Sequence, residues 1–482
     1  MPELMAAPFL RQSIIALILI LFLVTNLPWT LDDYDQAKQA YTSFEMVRQG
    51  HWLYQHTPNE SVATKPPLIG WISAATFAIT RWWEGAWRLP SLGAALLLLW
   101  LTARDATIAY GPAAGLIAMS AFGLNLLAPR LATLVRTDMP LALVTYLIGA
   151  QIWSKIRRGE SWSGRDRWIA FLLLTSAMLI KGPIIYAFIL PGLIGYEILR
   201  RRKRIAPSAW SGWWPWVFSL AVFLVWTWGG IATQPGFYES VVVREFAGRF
   251  TDTIHKPQPI YFYFPHLLHK FAPWSLLLIG LAIFFWRRRE QLSLRMQPDT
   301  VWLVCWSVGG LILMSVIPSK RVDRIFPIVP PFCLLLGAQV AAAFRIERWQ
   351  RKVRPWLGYA LIFAGLFTTG YAAWKIGSAW HAGADTLVRF SAQVRAQAQA
   401  NHWRYALVGG REEGMLLYLR RDHFLTPDEA IAQWRRGELD ALVVRNQPAR
   451  PWPELLPGAQ LQILSAKTTE LPQYSLFVRG PH

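Results

Sequence analysis

The sequence predicts a polytopic α-helical membrane protein carrying a small α/β domain at its C-terminal end. Three observations predict it. Of 482 residues, 54% are hydrophobic and only 16% are charged, whereas a soluble domain carries about a quarter charged residues. The 27 Trp fit a chain that meets bilayer interfaces, where tryptophan collects. The basic residues are bunched between apolar segments: Lys155 to Arg167, Arg200-Arg201-Arg202-Lys203-Arg204, Arg287-Arg288-Arg289, and Arg345 to Arg354. The formal net charge is +20, but the clusters carry no nucleic-acid motif, so the charge reads as topology and not as nucleic-acid binding. Cys305 and Cys333 lie in apolar runs and make no disulfide framework.

The apolar segments run over residues 13–29, 89–103, 112–128, 139–154, 168–180, 184–199, 213–231, 272–286, 300–317, 326–344 and 355–376. Each is read as a span of the bilayer, although several fall short of the ~20 residues a straight helix needs. Segment 13–29 lacks a small-residue cleavage site after it, so it reads as a first span and not as a signal peptide. Segment 66–80 is apolar enough to be a further span. Counting it would move all four basic clusters to the outside. Laying it on the membrane surface keeps them inside, as short Lys/Arg-rich loops require. The expected topology is therefore eleven spans, a cytoplasmic N-terminus and an outer C-terminal domain. The division falls at 1–380 for the membrane part and 381–482 for the tail.

The tail holds 12 Lys/Arg and 10 Asp/Glu, a soluble composition. Residues 405–410 read as a strand followed by a turn, and 441–445, 461–464 and 474–478 as strands, the last three from short apolar runs. Residues 412–421 and 428–436 read as helices, the second behind the start signal Thr426-Pro-Asp428-Glu429. Val408-Gly409-Gly410 is a sparse match to a phosphate loop. A packing or acceptor-gating role is the expectation for this domain.

The topology puts the unusual chemistry on one face. The outer loops are 30–88, 129–138, 181–183, 232–271 and 318–325. They hold Asp32, Asp33, Asp35, Glu45 and Lys65, then Arg130, Arg136 and Asp138. Lys181 comes next, then Glu239, His255 and Lys256, and finally Lys320, Arg321, Asp323 and Arg324. Carboxylates can activate a hydroxyl or bind a metal. Lys and Arg in a pocket of low dielectric suit a phosphate. Both together beside a bilayer suit a phosphorylated lipid. Any one of these residues taken singly reads as a salt-bridged loop charge; the set on one face carries the functional reading.

A series of motifs runs through these loops. It begins with Asp35-Gln-Ala-Lys-Gln-Ala-Tyr-Thr-Ser-Phe-Glu45-Met46, Gly50-His-Trp52 and Lys65-Pro66-Pro67-Leu68. Arg88-Leu89-Pro90-Ser91, Thr137-Asp138-Met-Pro140, Lys181-Gly182-Pro183, His255-Lys-Pro with Tyr261-Phe-Tyr263, and Ser319-Lys320-Arg321 follow. In this order the chain resembles bacterial membrane glycosyltransferases of the GT-C fold, in the protein-O-mannosyltransferase-like family that includes the lipid A aminoarabinose transferase. The likeness covers residues from about 13 to 376 and leaves out the tail.

The resemblance implies roles residue by residue. Asp35 and Asp138 take the places of the two essential carboxylates, with Gln36 where the family has a Glu beside the first. Lys65 takes the place of the lysine that contacts donor phosphate, with Lys320 and Arg324 beside it. Glu45, Lys181, His255 and Tyr261 are further site candidates. In the aminoarabinose enzyme a Glu before that lysine joins a His in holding a metal. Here Thr64 stands in the Glu position and His255 is the remaining candidate. The metal is therefore left open, and no other cofactor is called for.

The implied reaction takes a sugar from a polyprenyl phosphate to an envelope acceptor, whether glycolipid, glycan or protein, with inversion at the anomeric carbon. It would take place at the outer face of the bacterial inner membrane. Asp35 is the expected base and Asp138 orients. The partners are the donor, the acceptor and membrane lipids, without nucleic acid. Two rival readings remain: a flippase of lipid-linked sugars, which needs no base, and a scaffold whose tail binds an envelope partner. No inverted repeat favours the flippase.

Overall fold

The computed structural model describes residues 8–58, 61–203, 208–249, 257–287, 297–409, 413–446, 451–466 and 471–480. His255 and residues 410–412 of the glycine loop lie outside that set. The described residues fall into two compact units. The first comprises residues up to Thr25, Thr64–Ile69 and Pro90–Ala372; the second comprises Asn26–Ala63, Gly70–Leu89 and Ala373–His482. This grouping follows packing, whereas the division at residue 380 follows topology relative to a membrane.

The first unit is helical. Its helices are α1 (Pro8–Val24), α4 (Leu89–Tyr110), α5 (Pro112–Gly123), α6 (Ala128–Ala132), α7 (Asp138–Arg158), α8 (Gly164–Lys181), α9 (Ile184–Lys203) and α10 (Trp214–Thr233). After these come α11 (Tyr263–Lys270), α12 (Trp274–Arg287), α13 (Pro298–Val316), α14 (Val329–Phe344) and most of α15 (Glu347–His381). All eleven apolar segments overlap one of these helices. Among the described residues, five helical stretches are long and apolar enough to cross a membrane, or six with α11 and α12 taken as one span bent by 103°. The others are shorter or carry charge at an end, as Lys155, Arg157 and Arg158 do in α7. The chain is a multi-pass membrane protein. Its outer surface carries large apolar side chains, with Trp228 73% and Leu366 71% exposed, as a lipid-facing surface requires.

Inside the bundle, glycines let backbones meet. A Cβ on Gly309 would stand 2.5 Å from the Gly192 nitrogen, and one on Gly192 would stand 2.6 Å from the Trp306 Cα. The α9–α13 crossing is thus built on small residues, the usual device where lipid removes the hydrophobic drive for helix pairing. On the side holding the Lys155 cluster, Ser163 caps α8 in a reciprocal box with Asp166. Lys155 Nζ sits 2.7 Å from the Asp166 carboxylate, so this part of the basic cluster is ion-paired.

The second unit contains α2 (Tyr34–Gln49), most of α3 (Leu68–Thr80), the end of α15, α16 (Thr386–Ala400), α17 (Glu413–Leu419), α18 (Pro427–Arg435) and α19 (Trp452–Leu455). With 13 residues, α3 falls short of the ~20 that cross a bilayer. Four strands, β1 (Tyr405–Leu407), β2 (Ala441–Arg445), β3 (Ala459–Leu464) and β4 (Tyr474–Arg479), form one sheet in the order β1-β2-β4-β3. β1 pairs parallel with β2, and the other pairings are antiparallel. The Thr426 start signal is a complete capping box with Glu429. Behind it Ala430 and Trp434 face a core with Val408, Leu442, Val444, Leu456 and Phe477. The loop before the first motif is bound into this unit. The Leu31 N–H donates to the Tyr418 hydroxyl, and the Tyr41 hydroxyl donates to the Asp422 carbonyl.

Candidate active site

The first unit gathers charge around Asp138. This residue opens α7, where its carboxylate favours the positive helix N-terminus. It is 7% exposed, and Lys181, the last residue of α8, places Nζ 2.5 Å from its Oδ1. Burial alone would raise the Asp138 pKa. Lys181, Arg136 and Lys65 outweigh it and hold the carboxyl well below the usual range. Asp138 is therefore ionised, and three cations stand around it.

A second carboxylate extends the cluster. Asp323 takes Arg130 Nη1 at 2.5 Å and Arg136 Nη1 at 3.2 Å, so Arg136 is shared between Asp323 and Asp138. Lys270, the last residue of α11, lies within electrostatic reach of Arg130 and Asp323. Tyr263, fully buried, lies within reach of Arg324 and Asp138. Arg324 is held by the Ser319 carbonyl at 2.8 Å and the Ser319 hydroxyl at 3.1 Å. Lys320 is 5% exposed and donates to the Gln258 carbonyl at 2.8 Å; burial lowers its pKa. The named cations (Lys65, Arg130, Arg136, Lys181, Lys270, Lys320 and Arg324) outnumber the two carboxylates. Such an excess of sheltered positive charge suits an anion with several oxygens.

Four of the expected residues, Asp138, Lys65, Lys181 and Arg324, thus meet in one network, and Lys320 flanks Arg324's partner Ser319. Tyr261 is 70% exposed, while Tyr263 of the same motif is the tyrosine inside the network. Arg130, Arg136 and Asp323, named in the sequence only as members of the outer-loop set and given no role of their own, join the site, and Lys270 joins it without having been named there.

The other expected residues belong to the second unit. Asp35 is half-buried in the first turn of α2, and its N–H donates to the N-cap Asp33 carboxylate at 3.0 Å. Glu45, on the buried face of the same helix, meets His51 and His56. Its Oε1 bonds His51 Nδ1 and lies 3.9 Å from His56 Nδ1, and its Oε2 accepts the His56 N–H at 3.3 Å. Thr64 stands before Lys65, where the expected metal pair would need a Glu, and His255 lies outside the described residues. Arg88 is buried, with Nη2 on the Thr30 carbonyl at 2.9 Å. Beside it, Asp32 accepts the Tyr418 hydroxyl at 3.1 Å, and burial pushes the Asp32 carboxyl up to about 6.

No protein-family model matches the sequence. The undecaprenyl phosphate-alpha-4-amino-4-deoxy-L-arabinose arabinosyl transferase of Pectobacterium atrosepticum is 24% identical over 356 residues, 71% of this chain and 61% of the relative. That of Pseudomonas savastanoi pv. phaseolicola is 26% identical over 354 residues, 71% of this chain and 63% of the relative. The chain thus spans about three fifths of the curated relatives it matches. The crystal structure of ArnT from Cupriavidus metallidurans bound to undecaprenyl phosphate superposes with a TM-score of 0.69 at 17% identity, covering 99% of this chain and 100% of that one. The fold is therefore the GT-C glycosyltransferase fold, and the sequence is similar to the aminoarabinose transferases.

Proposed function

We propose that this GT-C-fold chain transfers a sugar from a polyprenyl-phosphate donor to an envelope acceptor, at the outer face of a bacterial inner membrane. The observation that carries the reading is the sheltered excess of cations around Asp138. Its likeness in sequence to enzymes named for an undecaprenyl-phosphate sugar supports the donor class. A lipid phosphate presents its charge where the apolar tail leaves off. The Asp138 cluster lies at the ends of α7 and α8, beside apolar spans. The eleven-span topology with an outer C-terminal domain belongs to this proposal.

The chemistry follows from the charges. An acceptor oxygen attacks the anomeric carbon as the sugar–phosphate C–O bond breaks, and the electron pair leaves with the polyprenyl phosphate. Lys65, Arg136 and Arg324 stabilise the growing phosphate charge, and they work best in a site that water does not screen. Asp138 does not take a proton, because its cations keep it ionised. It holds Lys181, Arg136 and Lys65 in place instead. A hydroxyl acceptor also has a proton to lose, and Asp35 is the proposed base. An acceptor phosphate monoanion would need no base.

The test is to incubate membranes with and without the chain with radiolabelled polyprenyl-phosphate sugars, and to follow label into glycolipid, glycan and protein. Label that enters an acceptor only when the chain is present supports transfer. Label that crosses the bilayer still attached to its lipid would overturn it in favour of a flippase.

A further inference from the structure

We propose that Glu45, His51 and His56 form a site for a divalent cation of the zinc class. All three residues belong to the second unit, and the inference does not rest on the transfer reaction.

The backbone brings them together. α2 ends at Gly50, whose φ of +80° turns the chain back on itself. His51, the next residue, thereby returns to Glu45, which precedes it by six positions. His56 is fixed separately. It forms a bridge with Val62, in a loop closed by Thr57 N–H to the Ser61 carbonyl at 2.9 Å and Ala63 N–H to the Gln55 carbonyl at 2.7 Å. A helix and a pinned loop therefore present one carboxylate and two imidazoles to a common point. The ligand atoms all lie within 4.8 Å of one another, and the two rings are 4.5 Å apart. Around zinc, donors at ~2.0–2.1 Å from the ion stand roughly 3.3 Å apart; Glu45 Oε1 and His51 Nδ1 are in direct hydrogen-bond contact and Glu45 Oε1 and His56 Nδ1 are 3.9 Å apart, so an ion would enter by replacing the Glu45–His51 hydrogen bond.

The environment fits a cation. The Glu45 side chain is 1% exposed, and burying a carboxylate without a counter-charge is costly. Its Oε2 is oriented by the His56 N–H, the kind of outer hydrogen bond that fixes a ligand carboxylate. The His51 side chain is 48% exposed, which leaves an entry path and room for water as a fourth ligand. Two imidazoles and one carboxylate select Zn2+, Co2+ or Ni2+ over Mg2+ or Ca2+, which prefer all-oxygen sites. Without a metal the same residues make carboxylate–histidine hydrogen bonds, which is the alternative that the test must separate.

The experiment uses the full-length protein in detergent, stripped by a chelator, reloaded with Zn2+ and dialysed. Elemental analysis should return one zinc per chain. Co2+ should give the intense visible bands of a tetrahedral site, and X-ray absorption should show two imidazole ligands and one carboxylate. His51→Ala and His56→Ala should each weaken Zn2+ binding at least about 100-fold, since a directly bound ligand matters more than the outer-shell partners, whose loss costs 10–100-fold. His423→Ala, at an exposed histidine of the same unit, should leave it unchanged. The proposal is overturned if the wild-type protein retains no zinc, or if the His51→Ala/His56→Ala protein retains it. It is also overturned if absorption shows a ligand set without two imidazoles, a reading that does not depend on how any variant folds.

Discussion

At the scale of single residues, two charged groups can be tested directly. The first is the Asp138–Lys181 pair. Removing one member of a buried ion pair typically costs about 3–5 kcal/mol, because the other charge stays buried. Lys181→Met should therefore destabilise the solubilised protein towards the low end of that range, since Arg136 and Lys65 still face Asp138. Asp138→Asn combined with Lys181→Met should cost less than the sum of the single changes. Thermal unfolding of the four proteins measures this, and strict additivity would mean the pair is not coupled. The second is Asp32. Its folded pKa of about 6 lies above the ordinary 3.8, so the folded state holds this proton more tightly than the unfolded one. Stability from this group is then greatest below about pH 4 and declines as pH rises to about 6, by about 3 kcal/mol. Asp32→Asn should flatten that slope, and an unchanged slope would assign it to another group. The sequence brought Asp138 and Lys181 into one set of site residues, but not the Asp32–Tyr418 or Asp323–Arg130 pairs. Asp32 is 386 positions from Tyr418 and Asp323 is 193 from Arg130, and no local pattern encodes a meeting at that range.

At the scale of elements, the sequence was most readable where one period dominates. Continuous apolar runs marked the long helices of the bundle, and the β-branched run at 441–445 marked β2, whose register, with Leu442 opposite Phe477, only the fold shows. α16 was passed over, although Leu387, Phe390, Val394 and Ala398 are buried at helical spacing; its polar residues dilute the signal. The Glu45, His51 and His56 cluster was hidden for another reason. Gly50-His-Trp52 read as part of a series of motifs, and only the fold of the loop after α2 turns His56 towards the same carboxylate. The packing of α17 is a sharper test of the structure. A Cβ on Gly414 would lie 2.5 Å from the Leu31 carbonyl oxygen, a backbone atom that cannot swing aside. Gly414→Ala should destabilise the protein by about 1–3 kcal/mol, against a helix-propensity gain of under about 1 kcal/mol. A variant as stable as the parent in thermal unfolding would show that α17 does not sit against that turn.

At the scale of the whole molecule, the decisive features are sidedness and chemistry. A reporter active only outside the cytoplasm should work when fused after His381 and stay silent in 155–167, 200–212, 287–299 and 345–354. The inverted pattern would mean that α3 crosses the membrane. The central claim is that the cations around Asp138 seat a lipid phosphate while Asp35 serves the acceptor. Measuring donor-lipid affinity and transfer rate together, in Asp35→Asn and Lys65→Ala, tests it most directly. Asp35→Asn should bind donor normally and lose transfer by about 10²–10⁴-fold with a hydroxyl acceptor. Lys65→Ala should lose both, with affinity down by the roughly 1.5–3 kcal/mol of a charged hydrogen bond. Near-normal transfer by Asp35→Asn, or undiminished donor affinity in Lys65→Ala, would contradict the account.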